Sequence, residues 1–335
     1  METVLIILAA VLLLGGLYTA WKTRQIDDRH GPEGEFALVD SVRLHYFHYA
    51  LPHHDGKRPA LVFVHGASGN ALDPLIAFKD RFEGRHELLF VDRPGLGHSR
   101  REPERHANPV EQARSIGALL DKLGIDDCVV VGHSLGASVS AALALERPDV
   151  VSGTVFVAPA THPWPGGINW YYRLAAMPLF GPLFCRTITL PVAERLAPAS
   201  ISGVFSPHPA IENYAAEIKL PLLFRPHSFR ANAMDVAGLK GFLKHQSRRY
   251  GDMKQPGVVI TGDQDTVVWP SIHSEGLIRD MPDAELILLE GAGHMPHHTH
   301  GDEIACEIEK LLAKLADRQT ASLAPTSEVE LKSSG

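Results

Sequence analysis

The chain has 335 residues, of which 45% are apolar and 21% are charged, and 32 basic against 39 acidic residues give a net charge of −7. This composition is ordinary for a globular protein and excludes a disordered or collagen-like chain. The mild acidity argues against a nucleic-acid-binding protein, which usually carries a basic domain or stripe. The cysteines, Cys128, Cys185 and Cys306, are odd in number and far apart, so they predict no disulfide framework.

The first segment of the chain is apolar and long enough to cross a membrane. No charged residue occurs between Thr3 and Trp21, and a helix of that length reaches roughly 27 Å, close to a bilayer core of about 30 Å. Tyr18 and Trp21 would lie at the membrane interface, where aromatic rings are favoured. The sequence therefore predicts a single-pass transmembrane anchor in residues 1–24.

A cleaved signal peptide is the alternative interpretation of this segment. A signal peptide needs a positive first region and a cleavage site with small residues at two alternate positions. Here Glu2 offsets the charge of the amino terminus, and the best cleavage candidate, Ala20, has the bulky Tyr18 two positions before it. A buried core helix is a further alternative, but an extreme N-terminal stretch with no polar face argues against it.

Basic residues follow the apolar run, namely Lys22, Arg24 and Arg29. Under the positive-inside rule, they place the main domain in the cytoplasm. If the segment were instead a cleaved signal, the main domain would be secreted or periplasmic.

After a polar linker over residues 25–35, short apolar runs alternate with helical stretches such as Asn108–Leu123 and Leu135–Glu146. The runs are rich in Val, Leu and Ile, as expected of strands that are buried on both faces of a parallel sheet. They are Phe36–Val39, Val42–Tyr49, Ala60–Val64, Glu87–Val91, Cys128–Val131, Gly153–Val157, Gly257–Thr261 and Glu285–Leu289. This alternation predicts an α/β fold with a doubly wound, mostly parallel eight-stranded sheet.

The alternation lapses between about residues 160 and 255, where the chain is rich in proline and aromatic residues. Because this stretch is too long for a loop in a compact domain, we expect a helical lid inserted over the carboxyl edge of the sheet. Its aromatic residues, such as Trp170 and Tyr172, either pack the lid on the sheet or line an acyl pocket. The main domain then spans residues 36–316, and the Ser-rich tail over 317–335 is expected to be disordered.

The first chemical motif is Gly132-His133-Ser134-Leu135-Gly136, between a predicted strand and a predicted helix. A serine on such a sharp turn occupies strained backbone, and side chains two positions to either side would clash, which explains the glycines. The strand–helix context favours Ser134 as a nucleophile over the alternative, a glycine-rich packing turn.

The second motif is His65-Gly66-Ala67-Ser68-Gly69, which follows the predicted strand Ala60–Val64. A loop at this position can direct a backbone N–H towards the oxyanion that forms when the serine attacks a carbonyl. We expect the backbone N–H groups of Ala67 and Leu135 to be the two donors of this oxyanion hole. For His65 we expect a structural role, with hydrogen bonds inside the loop.

The third motif combines Gly262-Asp263-Gln264-Asp265 with Gly291-Ala292-Gly293-His294, each just after a predicted strand. A serine hydroxyl is a weak nucleophile until an imidazole takes its proton, and a carboxylate must fix the tautomer of that imidazole. We expect Asp265 to supply the carboxylate, because it lies deeper in its loop, and Asp263 to be a turn residue.

Together with Asp92-Arg93-Pro94-Gly95-Leu96-Gly97-His98-Ser99, which is similar to a D-x-P-G-x-G-x-S loop, these motifs resemble the α/β-hydrolase superfamily, in its branch with a separate lid domain. The resemblance covers roughly residues 36–315. It implies that Ser134 is the nucleophile, Asp265 the acid and His294 the base. Dehalogenases and epoxide hydrolases of this superfamily carry an aspartate where this chain has Ser134, which argues against both activities.

Histidines cluster near His294, at His297, His298 and His300, and raise the alternative of a metal site. His298-Thr299-His300-Gly301-Asp302 partly matches the H-x-H-x-D-H pattern of metallo-β-lactamases, but Glu303 stands where the last histidine is needed. We therefore predict no metal and no organic cofactor. His53-His54, beside Asp55-Gly56, is expected to be a turn.

The sequence thus predicts a serine hydrolase that cleaves carboxylic esters of apolar small molecules at a membrane, through an acyl-enzyme. Two alternatives stay open. The same triad could act on amide, thioester or carbon–carbon bonds, or the chain could be a non-catalytic binding protein with the hydrolase fold.

Overall fold

The computed structural model describes residues 1–51, 58–101 and 105–323. Within these ranges, eight strands form one sheet in the spatial order β1-β2-β4-β3-β5-β6-β7-β8. The strands are β1 (Glu35–Val39), β2 (Val42–Tyr49), β3 (Ala60–Val64), β4 (Leu88–Val91), β5 (Cys128–His133), β6 (Val151–Val157), β7 (Gly257–Gly262) and β8 (Ala284–Leu289). Strand β2 pairs antiparallel with β1 and β4, and the other neighbours are parallel. The predicted doubly wound, mostly parallel sheet is confirmed, and strand ends differ by only one or two residues.

Helices cover both faces of this sheet. One face packs against α2 (Leu72–Phe82) and α13 (Gly301–Leu323), and the other against α3 (Pro109–Leu123), α4 (Leu135–Glu146) and α11 (Pro270–Asp280). In β3, Leu61 and Phe63 join the first of these apolar layers, whereas Val62 and Val64 join the second. Both sets of side chains are buried, which explains why the strand sequences show no alternation with polar residues.

The chain between β6 and β7 is largely helical, and we call residues 158–256 the helical insertion. It contains α5 (Trp170–Ala176), α6 (Phe180–Phe184), a π-helical segment (Cys185–Thr189), α7 (Leu190–Phe205), α8 (Tyr214–Glu217), α9 (Pro221–Phe224), α10 (Pro226–Gln246) and a 3-10 turn (Ser247–Asp252). The insertion contacts the loop after β3, because the Ser68 N–H donates to Asn232 Oδ1 at 2.7 Å. The Tyr172 hydroxyl also lies 3.2 Å from Ser68 Oγ.

The first helix, α1 (Glu2–Arg29), is longer than the predicted anchor and continues through part of the predicted linker over 25–35. Tertiary contacts explain the extra turns. Ile26 packs against Leu190 in an apolar cluster, and the Asp27 carboxylate lies 2.9 Å from the buried guanidinium of Arg225. These partners are remote in sequence, so local composition did not indicate them.

The last helix, α13, likewise continues beyond residue 316 to Leu323, so the start of the predicted disordered tail is helical instead. Arg318 in this extension is held by Asp283, with 2.7 Å between their charged atoms. The rest of the predicted tail, and the predicted turn at His53-His54, lie outside the described residues.

Helix α1 is long and apolar enough to cross a membrane, a test that signal sequences near the N-terminus also pass. Its first ten residues, up to Val11, are exposed all round. Further along, one helical face is covered by the insertion: Leu12, Gly15, Gly16, Tyr18, Thr19, Lys22, Thr23 and Ile26. The contact is closest at Gly15, where an added Cβ would overlap the carbonyl oxygen of Thr187. The insertion and α1 therefore pack backbone against backbone.

This close approach predicts that Gly15→Ala destabilises the full chain. An added methyl group must displace the Thr187 backbone, and overpacking of this kind costs about 1–3 kcal/mol. The matched control is Gly203→Ala in α7, where an added Cβ meets nothing within 4 Å. There the higher helix propensity of alanine should stabilise the folded chain by about 0.5–1 kcal/mol. Thermal unfolding in detergent micelles measures both variants. Equal melting temperatures for the two would contradict the packing.

Candidate active site

Ser134 lies on the turn between β5 and α4, with φ 52° and ψ −119°. A non-glycine residue in this region carries strain of about 1–3 kcal/mol, which the surrounding structure must hold. The flanking glycines make the turn possible, since an added Cβ would overlap Ser140 Oγ at Gly132 and the Val64 carbonyl oxygen at Gly136. The Ser134 N–H donates to the Val157 carbonyl at 3.0 Å, which ties the turn to the end of β6.

The structure brings the three residues of the predicted triad together. The Ser134 hydroxyl lies 3.1 Å from His294 Nε2, and His294 Nδ1 lies 2.8 Å from Asp265 Oδ2. The other carboxylate oxygen of Asp265 accepts the N–H groups of Val267 and Val268 at 2.8 and 2.9 Å, which orients the carboxylate towards the ring. In this arrangement Nδ1–H donates to Asp265, and Nε2 is free to accept the serine proton.

Asp263, the competing carboxylate, is used differently. Its Oδ1 accepts the Gly291 N–H at 2.7 Å, so it joins the loop after β7 to the loop that carries His294. It is exposed, whereas Asp265 is buried. This agrees with the turn role expected for Asp263.

The predicted oxyanion-hole loop runs directly beside the serine. An added Cβ on Gly66 would lie 3.1 Å from Ser134 Cβ, so the loop contacts the serine one residue before Ala67. Within the described residues, neither the Ala67 N–H nor the Leu135 N–H donates a hydrogen bond to the protein. Leu135 is also the first residue of α4, where the helix dipole favours a negative charge. Both donors are thus available to a developing oxyanion.

A buried network holds this loop in place. His65 Nε2 accepts the Arg93 N–H at 3.0 Å, and His65 Nδ1–H donates to the Gly66 carbonyl at 2.9 Å, in line with the expected structural role. The Arg93 guanidinium donates to the His65 and Gly66 carbonyls, each at 3.0 Å, and pairs with Asp235 at 2.8 Å. Sequence reasoning missed Asp235, because it lies in the helical insertion with no motif around it.

His133, the second residue of the serine motif, was also missed. Its Nε2–H donates to the His294 backbone carbonyl at 3.0 Å. Burial lowers the pKa of His133 well below its usual value, and the nearby His297 and His294 add to that effect. A neutral His133 therefore connects the turn that carries Ser134 to the loop that carries His294. Its place inside the motif was the only available sequence signal.

Two of the remaining clustered histidines, His297 and His298, share one buried carboxylate. Nε2 of His298 and Nε2 of His297 lie 2.8 and 3.2 Å from the two carboxylate oxygens of Asp73, and Tyr214 donates to the same carboxylate at 2.8 Å. Burial alone would raise the pKa of Asp73, but the two histidines hold it well below its usual value. One ligand atom from each of Asp73, His297 and His298 lies within 4.8 Å of the others, so this group could hold a metal ion. Asp73 had no motif to mark it.

Comparison with known proteins identifies the family. The family model for the alpha/beta hydrolase fold matches residues 59–301. The chain belongs to the alpha/beta hydrolase family.

Individual relatives agree with this assignment. The chain is 28% identical to a mouse protein named sn-1-specific diacylglycerol lipase ABHD11, over 79% of this chain and 84% of the relative. It is 24% identical to the 2-hydroxy-6-oxo-6-phenylhexa-2,4-dienoate hydrolase of Burkholderia cepacia, over 80% and 92% of the two chains. A thermophilic esterase from Thermogutta terrifontis shares the fold with a TM-score of 0.67, at 19% identity over 85% and 99% of the two chains. The chain is accordingly a hydrolase.

The buried histidines predict that acid destabilises the protein. Burial lowers the pKa of His65, His273 and His297 to about 4, whereas an unfolded histidine titrates near its ordinary value of about 6.5. Between these two values the unfolded chain binds more protons than the folded chain does. The contribution of these histidines to the free energy of unfolding is therefore fully present above pH 6.5 and falls as the pH drops towards 4, by about 1.4 kcal/mol per pH unit for each histidine.

Urea unfolding in detergent at a series of pH values between 8 and 4.5 measures this dependence. His273→Gln should reduce the slope by about one proton, and His245→Gln, at an exposed position, should leave it unchanged. A stability that stays level or rises on acidification would contradict the prediction.

Proposed function

We propose that this hydrolase is a membrane-anchored serine hydrolase that cleaves carboxylic esters with apolar acyl groups. The observation that carries the proposal is the continuous hydrogen-bond chain from Ser134 through His294 to Asp265. The two free backbone N–H groups beside Ser134 support it further, since acyl transfer needs both a nucleophile and an oxyanion hole.

In the proposed mechanism, His294 Nε2 takes the hydroxyl proton as Ser134 Oγ attacks the ester carbonyl. The carbonyl oxygen becomes an oxyanion that accepts hydrogen bonds from the Ala67 and Leu135 N–H groups. The imidazolium of His294 is stabilised by Asp265 and gives its proton to the leaving alcohol, which leaves an acyl group on Ser134. Water activated by His294 then attacks the acyl carbonyl, and the free acid and the serine hydroxyl are regenerated. No metal or organic cofactor enters these steps.

An apolar ester is favoured by the surroundings of the site. The side chain of Tyr172, from the helical insertion, reaches Ser68 in the oxyanion loop, and Tyr171 and Phe229 pack beside it. The diacylglycerol lipase name of the mouse relative supports an acylglycerol ester in this role. The dienoate hydrolase name of the Burkholderia relative keeps carbon–carbon bond hydrolysis as the second candidate.

We propose that α1 is retained as the anchor. A signal peptidase cut after Ala20 would fall inside the helical face that the insertion covers from Leu12 to Ile26. The removed half would include Gly15, at the closest contact with Thr187, and would expose apolar surface of the insertion. The basic residues Lys22, Arg24 and Arg29 then favour a cytoplasmic catalytic domain.

Replacement of the nucleophile tests the proposal. Ser134→Ala should lower kcat for a short-chain aryl ester by about 10⁴-fold or more, because loss of the attacking oxygen disables the whole triad. The same variant should lose labelling by a fluorophosphonate probe. The matched control is Ser68→Ala, which removes a nearby hydroxyl that bonds Tyr172 and Asn232 and should still be labelled.

The bond class is measured with matched ester, thioester and amide substrates, with the ester graded by acyl length, together with a dienoate. The proposal expects kcat/KM to be highest for the ester and to rise with acyl length. A wild-type protein that is neither labelled nor active on any of these substrates would contradict catalysis, and would favour a binding protein.

A further inference from the structure

Exposed apolar side chains are concentrated in two parts of the molecule. Among the described residues, the large apolar side chains that remain exposed belong to α1 or to the insertion between residues 170 and 196, apart from five scattered elsewhere. Those on the insertion include Trp170, Leu179, Phe180, Leu183, Val192 and Leu196. Leu179 is 83% exposed and Phe180 is 64% exposed. We call this surface the apolar face of the insertion. A patch of this kind needs a partner.

The packing of α1 against the insertion fixes the depth of this face in the membrane, if α1 is the membrane span. Gly15 contacts Thr187, next to the apolar face, and Gly15 precedes Trp21 by six residues. At 1.5 Å per residue, the contact lies about 9 Å along the helix from the aromatic residue at the proposed interface. Half of a bilayer core is about 15 Å thick. If α1 spans the membrane, the Thr187 backbone therefore lies inside the nearer leaflet.

The local structure of the insertion suits this depth. Helix α5 and the continuous helical stretch Phe180–Phe205 are together long and apolar enough to cross a membrane, and a 113° bend separates them, as in a broken span or a re-entrant loop. Gly181 lies at this bend, where an added Cβ would overlap the Ala175 carbonyl oxygen. Backbone hydrogen bonds inside these helices meet the main requirement for protein within a bilayer.

The few charges near the apolar face are compatible with a leaflet. Residues 163–205 contain three arginines and one glutamate, which is a net charge of 3 − 1 = +2. The glutamate, Glu194, is neutralised by Lys22 of α1 at 3.2 Å and accepts the Tyr18 hydroxyl at 2.7 Å. Arg186 is exposed, and its backbone lies beside Gly16 of α1. Along the helix, Gly16 is about 8 Å from Trp21 at the proposed interface, a distance that a snorkelling arginine side chain can span. Excess positive charge favours lipid head groups.

We propose that the apolar face of the insertion is buried in the bilayer leaflet next to the catalytic domain, and that the ester reaches Ser134 laterally from that leaflet. The inference rests on the proposed function in two respects, the membrane span of α1 and the cleavage of an ester at Ser134. The occupant is the acyl region of a lipid bilayer.

Helix α5 connects this face with the site over a short distance. Its first residue, Trp170, is exposed on the apolar face, whereas its third residue, Tyr172, bonds Ser68 in the oxyanion loop. Ser134 itself is only 8% exposed. An ester that displaces α5 from the membrane side would therefore meet the oxyanion loop before it met bulk water.

Depth measurements in lipid nanodiscs test the location. Bimane is attached to Leu179→Cys or Leu183→Cys in a Cys306→Ser background, since Cys128 and Cys185 are buried. The control positions are Leu8→Cys in α1 and Leu38→Cys in β1, both exposed. Phosphatidylcholine with doxyl-labelled acyl chains should quench positions 8, 179 and 183, whereas aqueous iodide should quench position 38.

These positions separate the two claims. Quenching of position 8 by lipid but of positions 179 and 183 by iodide would overturn the leaflet proposal and leave the anchor intact. Quenching of position 8 by iodide would overturn both the anchor and the leaflet proposal. Neither outcome bears on the triad, which the Ser134→Ala experiment tests separately.

Activity provides the second measurement. The double variant Leu179→Asp, Phe180→Asp should lower kcat/KM for dioleoylglycerol in phosphatidylcholine vesicles by at least about tenfold, because carboxylates are unfavourable in hydrocarbon. The same protein should keep its activity on soluble p-nitrophenyl acetate, which shows that it is folded. Leu38→Asp is the surface control. Equal effects on the two substrates, or no effect on either, would overturn lateral access from the leaflet.

Discussion

The structure depends on one strained residue, Ser134, whose positive φ raises its hydroxyl above the end of β5. The strain persists because the central strands hold both sides of the turn and the glycines at 132 and 136 admit the neighbouring backbone. The other elements of the site are arranged around the Ser134 hydroxyl. His294 and the oxyanion loop approach the same hydroxyl, and Arg93 and His133 keep them there. The fold therefore acts as a rigid support for one oxygen atom.

Much of this arrangement could be predicted from the sequence, for physical reasons. Central strands such as β3 and β5 are buried on both faces and give uninterrupted apolar runs, and each candidate site residue lies shortly after a strand. The parts that were missed are contacts between distant segments. Asp235 reaches Arg93 from the insertion, and Asp73 reaches His297 and His298 from α2. A single buried aspartate carries no local pattern, so only the structure could indicate its partner.

The ends of the terminal helices illustrate the same limit. Composition placed the end of α1 where polar residues begin, but Asp27 has a buried partner in Arg225 and the helix continues. The same packing makes α1 part of the enzyme, because its face from Leu12 to Ile26 is covered by the insertion. Helix α1 and the hydrolase domain are thus joined by direct contact and not by a flexible linker. This contact is the basis for placing the insertion in the membrane.

The central claim is that Ser134 and His294 act as one catalytic unit. The most direct measurement compares Ser134→Ala, His294→Ala and the double variant in hydrolysis of a soluble aryl ester. The Ser134 hydroxyl cannot attack unless His294 takes its proton, and His294 has no nucleophile to activate without Ser134. We therefore predict that each single variant loses about 10⁴-fold or more in kcat, and that the double variant is no slower than the slower single variant. Losses that multiply in the double variant, or a His294→Ala protein that keeps most of its activity, would contradict the claim.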